Sequence, residues 1–142
     1  MVHANPGHTP TPTDPLSVKT FSTFFAVIDF LLGEGVTIVA EAAFQDKLWR
    51  PGLTGLTNLG EIRIIKCNVD VDLALERRQR RFAEDPLRRA AHGDQTTDGG
   101  GAMTEFVPVS LPVPSLLVDT TDGYDPGLKD ILAFIDEGRR AQ

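Results

Sequence analysis

The chain has little cysteine, no long apolar run and no excess of positive charge, and each shortage excludes a class of protein. Its one cysteine, Cys67, excludes an internal disulfide framework and a zinc cage built from cysteines. No apolar stretch approaches the roughly 20 residues that a membrane-spanning helix needs, and residues 1–15 lack the features of a signal peptide. A net charge of −6 and a pI near 4.9 argue against general nucleic-acid binding. We therefore expect a cytoplasmic globular protein that binds neither membranes nor nucleic acid and holds no metal through its own ligands.

The length and composition indicate one folded domain behind a short leader. A chain of 142 residues with 41% hydrophobic residues is too apolar to be wholly disordered and too short for two well-buried cores. Residues 1–16 carry four of the ten prolines and show no apolar periodicity. We interpret residues 1–16 as a flexible proline-rich leader and residues 17–142 as the domain.

Three short runs rich in β-branched or aliphatic residues predict strands, at residues 36–40, 62–67 and 115–119. The first run contains no charge, which is typical of a strand covered on both faces in a parallel sheet. In the second run Cys67 is expected to be a small, buried side chain rather than a nucleophile.

Two predicted helices precede the second strand. The first spans residues 20–32 and ends at Gly33 and Gly35, and six apolar residues form its face: Phe21, Phe24, Phe25, Ile28, Leu31 and Leu32. The second lies within residues 45–59 and is expected to break at Pro51.

Two further helices follow strands and begin with an aspartate. Asp70 is expected to cap a helix whose apolar side is formed by Val71, Leu75 and Phe82. Asp125 caps and Pro126 opens the last helix, whose buried stripe is predicted as Leu128, Ile131, Leu132 and Ile135. Strands alternating with helices predict an α/β fold with a Rossmann-like parallel sheet, small for a doubly wound domain. Four glycines in residues 93–104 predict a mobile loop or lid.

The most informative segment is basic. Residues 76–89 contain six arginines against three acidic residues, and Arg77 shares a helix face with Arg80 and Arg81. Like charges at that spacing repel one another, whereas guanidinium groups bind phosphate through two parallel hydrogen bonds. The segment is therefore either a phosphate clamp or a solvated basic face, partly neutralised by neighbouring acidic residues.

Two turns after predicted strands offer further candidates, since ligands of open parallel sheets bind beyond the carboxyl ends of the strands. Glu41 could hold magnesium through water or accept a proton, or it could cap a helix or pair with Lys47 or Arg50. Residues 119–124 offer carboxylate and hydroxyl groups, although turn formation explains these residue types better than ligand contact.

The sequence contains no Gly-x-x-x-x-Gly-Lys-Ser/Thr phosphate loop. Its one Lys-Thr pair, Lys19 and Thr20, lacks both glycines and follows no predicted strand. The backbone amides that such a loop turns toward phosphate are therefore missing from these 142 residues.

In combination, these segments resemble part of a known family. A Gly-x-Thr-Ile-Val-x-Glu run ends at Glu41, an Ile-Ile-Lys-Cys-Asn strand follows, and Arg77 and Arg81 form an Arg-x-x-x-Arg helix. A last strand ends in Val-Asp-Thr-Thr. Over about residues 18–135 the chain resembles the C-terminal part of small P-loop kinases, the group of adenylate-kinase-like, zeta-toxin-like and chloramphenicol-phosphotransferase-like proteins often labelled AAA-family ATPases.

The resemblance implies a three-layer P-loop NTPase-like fold, truncated, with a helical lid at about residues 70–105. Arg77 and Arg81 would contact the nucleotide phosphates, and Arg88 would stabilise the transferring phosphoryl group. Glu41 would lie beside the phosphate site, and Arg80 would contact the nucleotide. Asp119, Thr120 and Asp122 would lie near the nucleotide base. The family uses ATP and magnesium to phosphorylate a small molecule, here unidentified.

Without the phosphate loop, the resemblance implies a kinase portion that is weak or inactive alone, either a fragment or a degenerate relative. The alternative is a non-catalytic module whose basic helix binds an anionic partner.

Overall fold

A computed structural model describes residues 15–85 and 106–137. In chain order, its elements are α1 (Pro15–Gly33), α2 (Asp46–Leu56), β1 (Ile64–Asn68), α3 (Val71–Glu84), β2 (Ser115–Asp119) and α4 (Leu128–Asp136). The described residues thus form a mixed α/β structure with four helices and a two-stranded parallel sheet.

These residues divide into two compact units, each made of two separate stretches of sequence. The first unit contains residues 15–38 and 74–85 together with Phe106, and therefore α1 and most of α3. The second unit contains residues 39–73 and 107–137, and therefore α2, the sheet and α4.

The sheet of the second unit is a parallel pair in which Ile64 lies beside Ser115 and Asn68 beside Asp119. Parallel strands need a crossover connection, and α3 lies between β1 and β2 in the chain. The predicted strand at 115–119 is confirmed, and the strand predicted at 62–67 occurs two residues later at its start and one at its end. Val118, 1% exposed, is the most deeply buried side chain of the described core.

The strand predicted at residues 36–40 is wrong, because these residues form no strand and Val39 is 95% exposed. The apolar composition favours an extended backbone, but a strand exists only where its backbone groups pair with a neighbour. The expectation that Cys67 is buried is also wrong, since its side chain is exposed. A sheet of two strands does not cover its residues as the expected larger sheet would.

Helix α1 begins at Pro15, five residues earlier than the predicted start, so Pro15 and Leu16 of the expected leader are helical. Residues 1–14 lie outside the described part of the chain. The predicted end is confirmed at Gly35, which has a φ of 72°. Its N–H donates to the Leu32 carbonyl and the Val36 N–H to the Leu31 carbonyl, the paired bonds of a Schellman cap.

The predicted apolar face of α1 is confirmed, since all six of its residues are buried or half-buried, whereas Val18, Val27 and Phe30 off this face are exposed. Ile28 is buried, and Phe25 makes edge-to-face contacts with Phe21 and Phe24. Within residues 15–85 and 106–137, no helix is both long and apolar enough to cross a lipid bilayer.

Helix α2 continues through Pro51, where a break was predicted. A proline inside a helix costs about 3 kcal/mol. Packing before and after the proline offsets that cost. The Trp49 ring lies edge-to-face on the Phe44 ring, with 4.9 Å between the ring centres, and the Leu56 side chain is buried. Tertiary contacts therefore override the local signal for a helix end.

The start of α2 is held by a segment distant in sequence. The Asp46 N–H donates to the Val107 carbonyl, and the Val109 N–H donates to the Phe44 carbonyl, both at 2.8 Å. The Val109 side chain is buried beside this antiparallel bridge. The bridge joins residues 44–46 to residues 107–109 within the second unit.

Helix α4 begins at Leu128 with Gly127 as its N-cap, so the prediction of Asp125 as the cap is wrong. The backbone of Asp125 instead exchanges two hydrogen bonds with that of Asp119, which holds it in an extended conformation. The predicted stripe is also wrong for most of its members, because Leu128, Leu132 and Ile135 are exposed.

The half-buried side of α4 contains Ile131 and Phe134 instead. Arg63, just before β1, reaches this side: its Nη1 donates to the Phe134 carbonyl at 2.6 Å, and its guanidinium lies 5.1 Å from the centre of the Phe134 ring. This contact selects which side of α4 faces the unit.

Candidate functional site

Polar residues meet where β1 and β2 end. Because the strands are parallel, their carboxyl ends lie at the same end of the sheet, and ligands bind at this end in open α/β folds. We call Asn68, Asp70, Asp119, Thr120 and Thr121 the strand-end cluster. All five belong to the second unit.

Two residues after β2 hold the strand ends together. The backbone N–H and the hydroxyl of Thr120 both donate to the Asn68 carbonyl at 2.8 Å. The Asp70 N–H donates to the Thr121 hydroxyl oxygen at 3.1 Å. The turns after β1 and β2 are therefore bonded directly to each other.

Asp70 caps α3, as predicted. Its Oδ1 accepts hydrogen bonds from the N–H groups of Asp72 at 3.0 Å and Leu73 at 3.1 Å. The carboxylate also lies at the positive end of the helix dipole. Of the predicted apolar side of α3, Leu75 and Phe82 are half-buried, whereas Val71 is exposed.

Asp119 forms the turn that its residue type favours. Its Oδ1 accepts a hydrogen bond from the Thr121 N–H at 2.7 Å. This bond, with a second one from the Thr121 hydroxyl, holds the pKa of the Asp119 carboxyl below its usual value of 3.8. The strand-end cluster therefore carries a negative charge at neutral pH.

That charge determines which groups the cluster can accept. A carboxylate beside backbone carbonyls accepts hydrogen bonds from hydroxyl or amino groups and attracts cations, and it repels a bare phosphate. Asp122 is exposed in the same turn, which closes at Gly123 with a φ of 84°. Among the predicted nucleotide-binding residues, Asp119 and Thr120 are thus placed at the strand ends, with Asp122 in the adjoining turn.

Glu41 is not joined to this cluster. It is exposed, and within the described residues it forms no hydrogen bond or ion pair. Arg50, considered as its partner, instead pairs with Asp46, donating from Nε to Oδ1 at 2.9 Å. Asp46 Oδ1 also accepts the Ser110 N–H at 2.9 Å, and these two bonds lower the pKa of the Asp46 carboxyl.

The arginines of α3 belong to the first unit. Arg80 and Arg81 are exposed, and neither forms an ion pair with Glu76, Glu84 or any other described residue. Arg81 Nε donates to the Arg77 carbonyl at 3.2 Å, which places its guanidinium along the Arg77 side of the helix. Arg88 and the predicted loop at 93–104 lie outside the described residues.

The sequence reasoning missed the roles of Asp46, Arg63 and Thr121. The Asp46–Arg50 pair has the i,i+4 spacing that signals a helical ion pair, so this signal was present. Nothing in the sequence indicates that Arg63 binds the end of α4, or that Thr121 accepts from Asp70, since both contacts join distant segments.

The described residues contain no group of three or more histidine, cysteine or acidic side chains arranged to hold a metal ion. No family model matches the chain, and neither the curated proteins nor the solved structures contain a match to it.

Proposed function

We propose that this chain supplies part of a cytoplasmic, ATP-dependent small-molecule kinase with a three-layer, P-loop NTPase-like fold. The order β1–α3–β2, in which two parallel strands are joined through a helix, is the kind of connection from which such folds are built. ATP would donate the phosphoryl group and magnesium would neutralise its charge. The acceptor of the phosphoryl group would be a small molecule.

The strand-end cluster carries the proposal. Its charged acceptor, the Asp119 carboxylate, suits the hydroxyl and amino groups of a nucleoside better than its phosphates. One charged carboxylate could hold a hydrated magnesium ion through water, but the described residues offer no set of several ligands.

The arginine face of α3 suits the phosphates instead. Arg80 and Arg81 present guanidinium groups without a carboxylate partner, and a planar fork of donors matches phosphate oxygens. In such a kinase Arg77 and Arg81 would contact the nucleotide phosphates, and Arg88 would contact the transferring group. Arg80 would contact the nucleotide, and Glu41 the acceptor or magnesium. Phosphoryl transfer depends mostly on such positioning and charge neutralisation.

Binding by this chain should be weak, because its sequence contains no loop of backbone amides to hold the β- and γ-phosphates. We expect a Kd for magnesium ATP above about 1 mM, that is, less than about 4 kcal/mol of binding free energy. A titration followed by amide NMR shifts should perturb residues 119–123. Micromolar affinity by calorimetry, or shifts confined to other residues, would contradict the proposal.

Matched variants test the arginine face of α3 separately from the strand-end cluster. Arg80→Ala with Arg81→Ala should weaken the response to ATP and to tripolyphosphate. The double variant Lys47→Ala with Lys129→Ala removes the same charge from exposed positions elsewhere and should leave both responses unchanged. An equal loss in both variants would mean that only net charge matters.

A second candidate function, a non-catalytic module for an anionic partner, is favoured by the unpaired charges of Arg80 and Arg81. It predicts that tripolyphosphate binds as well as ATP and that adenosine causes no shift at residues 119–123. If the chain is part of a kinase, adenosine without any phosphate should shift the amide signals of residues 119–123.

A further inference from the structure

One segment of the chain has the sequence of a strand and an unpaired backbone. In residues 36–40 the Val36 N–H donates to the end of α1. The N–H groups of residues 37–40 and the carbonyls of residues 36–40 have no hydrogen-bond partner in the described part of the chain. The segment is uncharged and rich in β-branched residues, and Val39 is almost fully exposed. Such a segment has the composition of a β-strand and backbone groups that can pair with the edge of a sheet.

The outer edge of β1, the side facing away from β2, has no neighbouring strand among the described residues. The Ile64 N–H bonds to the Pro114 carbonyl and the Thr120 N–H to the Asn68 carbonyl, so alternate residues of β1 point toward β2. Ile65 and Cys67 therefore direct their N–H and carbonyl groups away from β2, where no described residue accepts or donates to them.

The opposite edge of the sheet differs. There Asp119 exchanges two backbone hydrogen bonds with Asp125, at 2.7 and 3.0 Å, which closes the end of β2. The outer edge of β2 is therefore closed at its carboxyl end, whereas that of β1 is open at both Ile65 and Cys67 among the described residues. A further strand would therefore add beside β1 rather than beside β2.

We propose that residues 36–40 of one copy of the chain pair with the outer edge of β1 in a second copy, so that two copies exchange strands. Among the described residues, the backbone groups of both segments have no partner, and α2 is the one described element between them in sequence. Exchange between copies satisfies both sets of backbone groups and covers Val39. This inference is independent of the proposed kinase function.

Proline variants at the sheet edges test the pairing. Ile65→Pro removes an N–H that points away from β2, so the β1–β2 ladder keeps its hydrogen bonds. We expect sedimentation equilibrium to show a reversible dimer whose Kd rises at least about tenfold in Ile65→Pro, as expected for one or two lost hydrogen bonds. Leu117→Pro makes the same change on the outer edge of β2 and should leave the dimer unchanged.

Disulfide trapping tests the partners directly in the folded wild-type background. A mass-tagged chain with Val39→Cys and Cys67→Ser is mixed with the untagged wild-type chain under mild oxidation. The two should form a reducible heterodimer through position 39 of one copy and Cys67 of the other. The same mixture with Lys129→Cys in place of Val39→Cys should not form it.

Three results would overturn the proposal. They are a chain that stays monomeric at every concentration, equal effects of Ile65→Pro and Leu117→Pro on association, and a trapping mixture that yields no heterodimer through position 39 and Cys67. Far-UV circular dichroism of both proline variants shows whether the sheet persists. If Ile65→Pro unfolds the chain, the trapping experiment decides alone.

Discussion

Replacing Arg63 should destabilise the second unit, because its side chain joins β1 to the end of α4. Its side chain is 17% exposed, its Nη1 binds the Phe134 carbonyl at 2.6 Å, and its Nη2 lies 2.7 Å from Glu61 Oε1. The Phe134 carbonyl is in the last turn of α4, where carbonyls lack helical partners. The positive charge also suits the negative end of the helix dipole.

The loss on replacing Arg63 with methionine can be estimated from these contacts. A hydrogen bond from a charged donor contributes about 1.5–3 kcal/mol, and the contact with the Phe134 ring about 0.5–1 kcal/mol. The ion pairs with Glu61 and Glu137 add little, because Glu137 in particular is exposed. Relief of the buried Nε, which has no hydrogen-bond partner, returns part of the loss. We expect Arg63→Met to lower the free energy of unfolding by about 2 kcal/mol.

Urea unfolding followed by far-UV circular dichroism measures this loss. With a slope of about 1–3 kcal/mol/M, the midpoint should fall by about 1 M. Arg63→Lys keeps the charge but not the planar guanidinium group. Its urea midpoint should therefore lie between those of Arg63→Met and the wild type. Lys129→Met removes a charge from the exposed side of α4 and serves as the control. If Arg63→Met changes the midpoint no more than Lys129→Met does, the assignment of Arg63 is refuted.

Two further predictions concern α1 and Asp46. Gly35→Ala should destabilise the chain by about 1 kcal/mol, because alanine is strained at a φ of 72°, whereas Gly33→Ala, inside the helix with open space around it, should be neutral or stabilising. The melting temperatures of the two variants measure this difference. Equal melting temperatures would mean that the positive φ of Gly35 does not matter for stability. Asp46 has a lowered pKa, so its contribution to stability is present above its ordinary pKa of 3.8 and is lost as the pH falls through the lower, folded value. The stability gap between the wild type and Asp46→Asn should therefore narrow between about pH 5 and pH 2, and a constant gap in urea titrations would contradict the role of its charge.

The sequence predicted features that depend on neighbouring residues and missed those that depend on distant ones. Asp70 as a cap, Gly35 as a helix end and the strand at 115–119 follow from local chemistry, and all three occur. The break at Pro51 and the cap at Asp125 were equally local, but packing of Leu56 and pairing with Asp119 overrode them.

The candidate site follows the same division. Parallel pairing of the two strands was predictable, and it brings Asp119 and Thr120 beside Asn68. The bond from Asp70 to Thr121 spans 51 residues and could not be read from either segment. Residues 36–40 show the limit most clearly, because strand propensity says nothing about whether a partner is available.

The bridge between residues 44–46 and 107–109 has a consequence for biosynthesis. The hydrogen bond from Ser110 to Asp46 spans 64 residues, so a ribosome adding about 5–20 residues per second needs about 3–13 s to supply the second partner. During that interval the nascent α2 and β1 have been synthesised without the segments that bond to the start of α2 and complete the sheet. Translation speed and chaperone supply should therefore govern the yield of native protein more strongly than they would for a chain whose contacts are local.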